Sequence, residues 1–101
     1  VASSMYFFCG TVTGVQAPED FEERTTKSGL VEAIKTSFSD CDAAYAIDDE
    51  KAMEEVEFFG QTGTNLWVLT FNVAHNWEHY GNLVTYLREN GLVPPSSQGG
   101  D

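Results

Sequence analysis

The chain has 101 residues, of which 42% are hydrophobic and 13% aromatic. This is enough for one domain with a packed core and too apolar for a disordered chain. The formal net charge is −11, with 16 acidic residues against five basic ones that are scattered along the sequence. No basic stripe can form, so the composition disfavours nucleic-acid binding. No apolar stretch is long enough to cross a bilayer, and we expect no membrane partner.

The first predicted element is a buried helix from Val1 to Val12, in which Met5, Phe8 and Cys9 recur at helical spacing. The chain opens inside this apolar run, without an initiator methionine or a polar lead-in. We therefore expect the sequence to begin in mid-helix, with upstream residues missing. A polar connector follows, and a short helical turn is expected in it around Phe21.

The second predicted helix begins at Ser28, whose hydroxyl suits an N-cap, and ends near Asp48. Its apolar residues recur at steps of four, four, three and four, as on one face of a helix. These residues are Leu30, Ile34, Phe38, Cys41 and Tyr45. A further short turn is expected to open at residues 48–50.

Between residues 56 and 64 the helical pattern breaks at Gly60 and Gly63. We interpret this segment as a loop with Phe58 and Phe59 turned inward. No strand pair is expected there or elsewhere in the chain.

The last predicted helix runs from about Thr64 to Asn90 and has one broad apolar face. Gly91 stands where a glycine commonly ends a helix, and Pro94 and Pro95 prevent the helix from resuming. The apolar face consists of Leu66, Leu69, Val73, Trp77, Tyr80, Val84 and Leu87.

Together these elements predict a single all-α domain over residues 1–101, with a frayed polar tail over residues 96–101. Three main helices of this kind need a fourth to close their core. A helix face left without a partner favours association, so we expect a homodimer.

The two cysteines, Cys9 and Cys41, each lie among apolar neighbours. We expect two small buried thiols. A bridge between them and a role as a thiolate ligand stay open as alternatives. Neither cysteine fixes the compartment in which the protein works.

The only two histidines, His75 and His79, lie four residues apart in the last predicted helix. Side chains at this spacing project side by side, so both imidazoles can reach one metal ion. The alternative is an incidental pair on a surface helix. Asn72 and Asn82 lie one turn to either side, either as hydrogen-bond partners of the histidines or as ordinary polar positions of a helix.

The histidine pair is an incomplete metal site by itself, because a catalytic zinc commonly has three protein ligands. The third ligand would come from an acidic residue, from Cys9, from upstream sequence or from a partner chain. Residues 75–79 also match the H-x-x-E-H zinc-protease pattern. Only 22 residues follow His79, too few for that pattern's distant third ligand, so we expect Glu78 to face solvent.

A denser motif surrounds the pair and resembles the last helix of the DinB-like superfamily. Residues 1–9 look like that family's second helix and residues 28–45 like its third, so the resemblance covers nearly the whole chain. The motif consists of His75, three residues, His79-Tyr80-Gly81, a Leu-Val-x-Tyr-Leu-Arg run over residues 83–88, and Pro94-Pro95-Ser96 after a glycine and an apolar pair.

The resemblance implies an up-down-down-up four-helix bundle with a three-histidine metal site, usually for zinc or nickel. Two of these ligands correspond to His75 and His79. The third belongs to the family's second helix, in a His-Val-Ala or His-Leu-Ala sequence, and Val1-Ala2 matches the last two letters. We therefore expect the chain to begin just after that histidine, with the family's first helix missing.

Characterised members of this family include thiol S-transferases that act with bacillithiol and mycothiol-dependent isomerases. The resemblance therefore implies a metal-dependent transferase or hydrolase-like enzyme, in which the metal binds a low-molecular-weight thiol as its thiolate. The expected partners are this thiol and a small-molecule substrate. The compartment, bacterial cytoplasm or exported, stays open.

Two other hypotheses belong to different classes. One is a non-catalytic helical bundle that serves association or stress response, as a dimer with an incomplete metal site. The other is a helical lid or domain of a larger enzyme.

Overall fold

A computed structural model describes residues 1–99, and these residues are mostly helical. They form four α-helices and one two-stranded sheet, with short 3₁₀ turns at residues 21–23 and 95–97. No helix within residues 1–99 is long and apolar enough to cross a membrane. In chain order the elements are α1 (Ala2–Thr13), α2 (Lys27–Tyr45), α3 (Asp49–Ala52), β1 (Glu55–Phe58), β2 (Gln61–Thr64) and α4 (Asn65–Glu89).

Side-chain caps set where three of the helices begin. The side chains of Thr26, Asp48 and Thr64 each accept a hydrogen bond from the backbone N–H three residues on, at 2.8–3.1 Å. The expected N-cap at Ser28 was wrong, since α2 already begins at Lys27 behind Thr26. The predicted turns at residues 21 and 48 and the predicted last helix are confirmed.

Helix α1 forms the centre of the fold, because it packs against both long helices, whereas α2 and α4 hardly contact each other. Its buried face meets the hairpin as well, so the three long helices and the hairpin share one apolar core. The buried residues of this core are Met5, Phe8, Cys9, Val12, Cys41, Ala44, Phe58, Val68 and Leu69.

The segment between α3 and α4 is a β-hairpin, so the expectations of an all-α chain and of a loop over residues 56–64 were wrong. β1 runs antiparallel to β2, from Glu55 opposite Thr64 to Phe58 opposite Gln61. The mostly helical character of the chain is confirmed; the hairpin is its one departure within the described residues.

The turn of the hairpin explains why the sequence did not reveal it. Phe59 and Gly60 both have positive φ, 53° and 71°, as in the two-residue turns that match the twist of paired strands. Asn or Gly normally fills the first of these positions, and Phe is an unusual occupant. Of the two phenylalanines expected to turn inward, Phe58 is buried and Phe59 is exposed.

The apolar stripe predicted for α2 lies mostly outside the core. Only Cys41 of this stripe is buried, while Leu30, Ile34, Phe38 and Tyr45 are 39–48% exposed. The face of α2 that packs in the interior carries small residues, which allow α1 to approach closely. These residues are Ala33, Ser37, Cys41 and Ala44.

Cys9 on α1 and Cys41 on α2 form a disulfide, with their Cα atoms 5.5 Å apart. This separation lies within the usual range for a bridged pair. The expected burial of both residues is confirmed, but the expected free thiols were wrong, and the bridge is the alternative that holds.

The residues after α4 fold back onto that helix. The backbone N–H of Ser96 donates to the Tyr80 hydroxyl at 2.9 Å, and the Arg88 guanidinium donates to the Ser97 hydroxyl at 3.0 Å. These bonds hold residues 96–97, where we expected a frayed tail. The part of that prediction on residues 100–101 lies outside the described residues.

Candidate metal centre

One face of α4 carries the polar groups of the candidate site. Asn72, His75, Asn76 and His79 follow one another at positions i, i+3, i+4 and i+7 of this 25-residue helix, so their side chains lie in one row. Asn72 is buried, and the other three are half-buried. The row therefore sits at the boundary between the core and the surface.

The structure brings the two predicted ligands together. The Nε2 atoms of His75 and His79 are 3.1 Å apart, and their rings are nearly perpendicular, with centroids 4.5 Å apart. Two imidazole nitrogens this close repel each other if both present lone pairs. The pair is stable only with one proton between the nitrogens or one cation bound to both.

The spacing of the two nitrogens fits a metal ion. Two nitrogens bound to one ion at 2.0–2.1 Å lie roughly 2.9–3.4 Å apart when the bond angle is between about 90° and 110°. The observed 3.1 Å corresponds to an angle of about 98° at such bond lengths. His75 and His79 thus suit two neighbouring positions of a tetrahedral or octahedral ion.

Within residues 1–99, the candidate metal site has two protein ligands, His75 and His79. No group of three His, Cys, Asp or Glu side chains in these residues is placed to hold a metal ion. Cys9, one of the expected sources of a third ligand, is bonded to Cys41 and cannot act as a thiolate. Any further ligand has to be water, substrate or a group outside the described residues.

His75 lies against the aromatic core. Its ring centroid is 5.6 Å from that of Phe8, and its Nδ1 is buried without a hydrogen-bond partner in residues 1–99. A metal-bound histidine usually donates this second N–H to an oxygen that fixes its orientation. At His75 the neighbouring rings limit the orientation instead.

Neither asparagine that we considered as a partner of the histidines forms a hydrogen bond with them in the described residues. The amide of Asn72 donates to the Tyr45 hydroxyl at 2.8 Å, and Tyr45 in turn donates to the Leu69 carbonyl at 3.1 Å. Asn82 is exposed. The network through Asn72 therefore joins α4 to α2 beneath the histidines.

Asn76 is a candidate site residue that the sequence reasoning missed. Its amide nitrogen lies 3.1 Å from the Met5 sulfur, and its Oδ1 is buried without a partner in the described part of the chain. An unpaired buried amide oxygen is costly unless a ligand or water meets it. Its spacing of four from Asn72 and three from His79 was the signal that could have revealed it.

A groove of about 840 Å³ separates α2 from α4 beside this row, within the size range of small-molecule sites. His79 and Asn76 line it, and His75 does not. The described residues that line it include one carboxylate, Asp42, and no Lys or Arg. The larger apolar side chains along its two walls are Ile34, Phe38, Val73, Trp77 and Leu83.

The remaining polar pair of note lies away from the groove. The Tyr6 phenol donates a hydrogen bond to the Asp40 carboxylate. Burial of the phenol, helped by this hydrogen bond and the charge of Asp40, raises the pKa of Tyr6 to about 12. Tyr6 therefore stays protonated over the ordinary pH range and acts as a structural donor.

Among known proteins, the chain matches no family model, no curated protein and no solved structure.

Proposed function

We propose that the chain is the histidine-bearing part of a DinB-like metal-dependent enzyme, a thiol S-transferase that uses zinc or nickel and a low-molecular-weight thiol. One observation carries this proposal. The Nε2 atoms of His75 and His79 are separated by 3.1 Å, as two ligands of one ion would be, at the edge of a groove large enough for a small molecule.

The proposed fold is an up-down-down-up four-helix bundle, in which a further helix outside these residues covers the groove. Its support is the apolar surface on both walls: Phe38 and Ile34 on α2 face Val73 and Leu83 on α4 across open space. Apolar residues on two facing helices bury most surface when a third helix lies between them.

In this proposal each residue of the row has a separate task. His75 and His79 bind the cation, which would favour the thiolate form of a thiol near it. The free Oδ1 of Asn76 accepts a hydrogen bond from the polar end of the bound molecule. The walls around Phe38 and Trp77 take its apolar part and exclude water.

The test is metal binding by the intact chain, purified without a histidine tag. We expect zinc or nickel to raise the melting temperature of the chain by preferential binding to the folded state. His79→Ala should abolish this rise, because one imidazole binds poorly. Asn82→Ala, an exposed position on the same helix, should leave it unchanged. A melting temperature that ignores metal at millimolar concentration would contradict the proposal.

Cobalt(II) tests the thiol part of the proposal separately. We expect cobalt to occupy the histidine pair, and a small thiol added afterwards to produce a sulfur-to-cobalt charge-transfer band. The band should be absent from His79→Ala. Metal binding without any thiol-dependent band would keep the metal site and rule out the thiol transferase.

A second function is favoured by the exposed apolar side chains of the groove: association of two chains without catalysis. Trp77, for example, is 66% exposed. In this case the chain would be a dimer that ignores metal, and Trp77→Asp would yield monomers in analytical ultracentrifugation. A monomeric chain that binds metal excludes it.

A further inference from the structure

The Cys9–Cys41 disulfide connects α1 to α2 across 32 residues of sequence. Both cysteines are buried, at 1% and 2% exposure. Besides burying a pair of sulfurs, the bridge therefore fixes the position of α1, the helix around which the other elements are packed.

The two sulfurs differ in their surroundings. Cys41 borders the groove between α2 and α4, and Cys9 does not. The amide nitrogen of Asn72 lies 3.9 Å from the Cys9 sulfur and 4.0 Å from the Cys41 sulfur. A molecule in the groove is therefore nearer to Cys41, which lines it, than to Cys9, and the Asn72 amide is about equally close to both sulfurs.

The bridge is also close to the candidate metal site. Met5, one turn before Cys9 on α1, contacts the amides of both Asn72 and Asn76 through its sulfur, at 3.5 and 3.1 Å. A shift of α1 relative to α2 would displace Met5 from these amides. The Met5 contacts that help to hold Asn72 and Asn76, and with them the row that includes His79, would then be lost.

We propose that the Cys9–Cys41 disulfide is a redox switch of the groove, opened by a small thiol that attacks the sulfur of Cys41. The thiolate forms a new disulfide with Cys41, and the electron pair of the broken S–S bond leaves on Cys9, which then takes up a proton. A second thiol displaces Cys41 and carries away the first as a low-molecular-weight disulfide. Per bridge, two thiols are oxidised and one disulfide is reduced.

Opening the bridge removes the covalent link between α1 and α2, so that only their non-covalent packing holds the two helices together. The proposal goes beyond the metal-dependent function and needs no metal. Its experiments are therefore made in the presence of a chelator, so that a failure of the metal site leaves them unaffected.

The first experiment locates the mixed disulfide. The native chain is incubated with a monothiol, quenched with acid, and digested with trypsin, which places Cys9 and Cys41 in different peptides because Arg24, Lys27 and Lys35 lie between them. We expect the adduct on Cys41. An adduct mainly on Cys9, or a bridge that opens only at the rate of global unfolding, would overturn the proposal.

The second experiment uses a matched pair of groove variants. Val73 lines the groove and Val93 does not, and both are about half-exposed. Val73→Trp should slow opening of the bridge by the thiol several-fold, and Val93→Trp should leave the rate unchanged. Equal rates in the two variants would show that the thiol does not enter through the groove.

The third experiment measures the consequence of opening. Reduction should lower the melting temperature by at least about 10 °C, from the loop closed by the bridge and the size of the chain. It should also raise the fluorescence of an apolar dye that binds loosened cores. The double variant Cys9→Ser, Cys41→Ser should show both changes without thiol and no further response to it. A melting temperature insensitive to reduction would refute the switch.

Discussion

The two sides of α1 differ in how completely they are packed. On one side, the sealed side, Phe8 and Val68 are nearly inaccessible and pack in one cluster with Phe58 of the hairpin. On the other side, Phe38 and Trp77 line a groove and remain about half-exposed or more. The same chain thus combines a sealed core with an apolar surface that has no partner among the described residues.

Hydrophobic periodicity therefore does not by itself identify the core. The bulky stripe of α2 lies along the groove, and the interior face of that helix is built from Ala33, Ser37 and Ala44. The histidine pair lies at the boundary between the two sides. There the His75 ring lies against Phe8 of the core, and His79 lines the groove.

Truncating a phenylalanine on each side should give the largest difference. Phe8→Ala removes a side chain that is 2% exposed and should lower the free energy of unfolding by about 3–5 kcal/mol. Phe38→Ala, at 48% exposure, should cost about 1 kcal/mol or less. Urea denaturation measures both. Equal losses of stability would mean that the groove is covered in solution and that the two sides of α1 are packed equally well.

Removing the disulfide should have the next largest effect. The bridge closes a loop of 32 residues, and the double replacement by serine should lower the free energy of unfolding by about 3–4 kcal/mol in the chain-entropy account. The same denaturation experiment, with and without reductant on the wild-type chain, provides the control. A loss much below 1 kcal/mol would mean that the bridge does not hold α1 in place.

The amide of Asn72 joins the two sides. Its removal should lower the free energy of unfolding by less than truncation of a core phenylalanine and by more than a substitution at the surface. Asn72→Ala removes the donor to the Tyr45 hydroxyl and should cost about 1–3 kcal/mol. Asn82→Ala, exposed on the same helix, should change stability by less than about 0.5 kcal/mol. Similar losses of stability in the two variants would mean that the hydrogen bond between Asn72 and Tyr45 does not stabilise the fold.

The smallest effect concerns Tyr6, which lies in a second buried cluster with Phe21 and Ala33. Its pKa is raised from 10.0 to about 12 in the folded chain, so the unfolded chain loses this proton at lower pH than the folded one. The stability from Tyr6 is complete below pH 10 and is lost as the pH rises through about 12. In Tyr6→Phe, the fall in melting temperature between these values should be shallower. An identical fall in the melting temperature of the wild-type chain and of Tyr6→Phe would mean that a group other than Tyr6 causes it.

The sequence predicted what depends on local pattern: α4, its glycine end, the short turn that opens at Asp48 and the adjacency of His75 and His79. It did not predict what depends on distant partners. The hairpin was not predicted because Phe59 occupies a turn position that is usually filled by Asn or Gly. Whether the α2 stripe is covered depends on which helix lies opposite it, and no local pattern records that.

The most direct test of the account is the response of the two histidine rings to zinc, followed by NMR of their ring C–H signals. We predict that His75 and His79 shift together and saturate at one ion per chain. The indole signal of Trp77 in the groove should move with them, and the ring signals of Phe58 on the sealed side should stay in place. Histidines that respond separately, or not at all, would contradict the shared metal site at the edge of the groove.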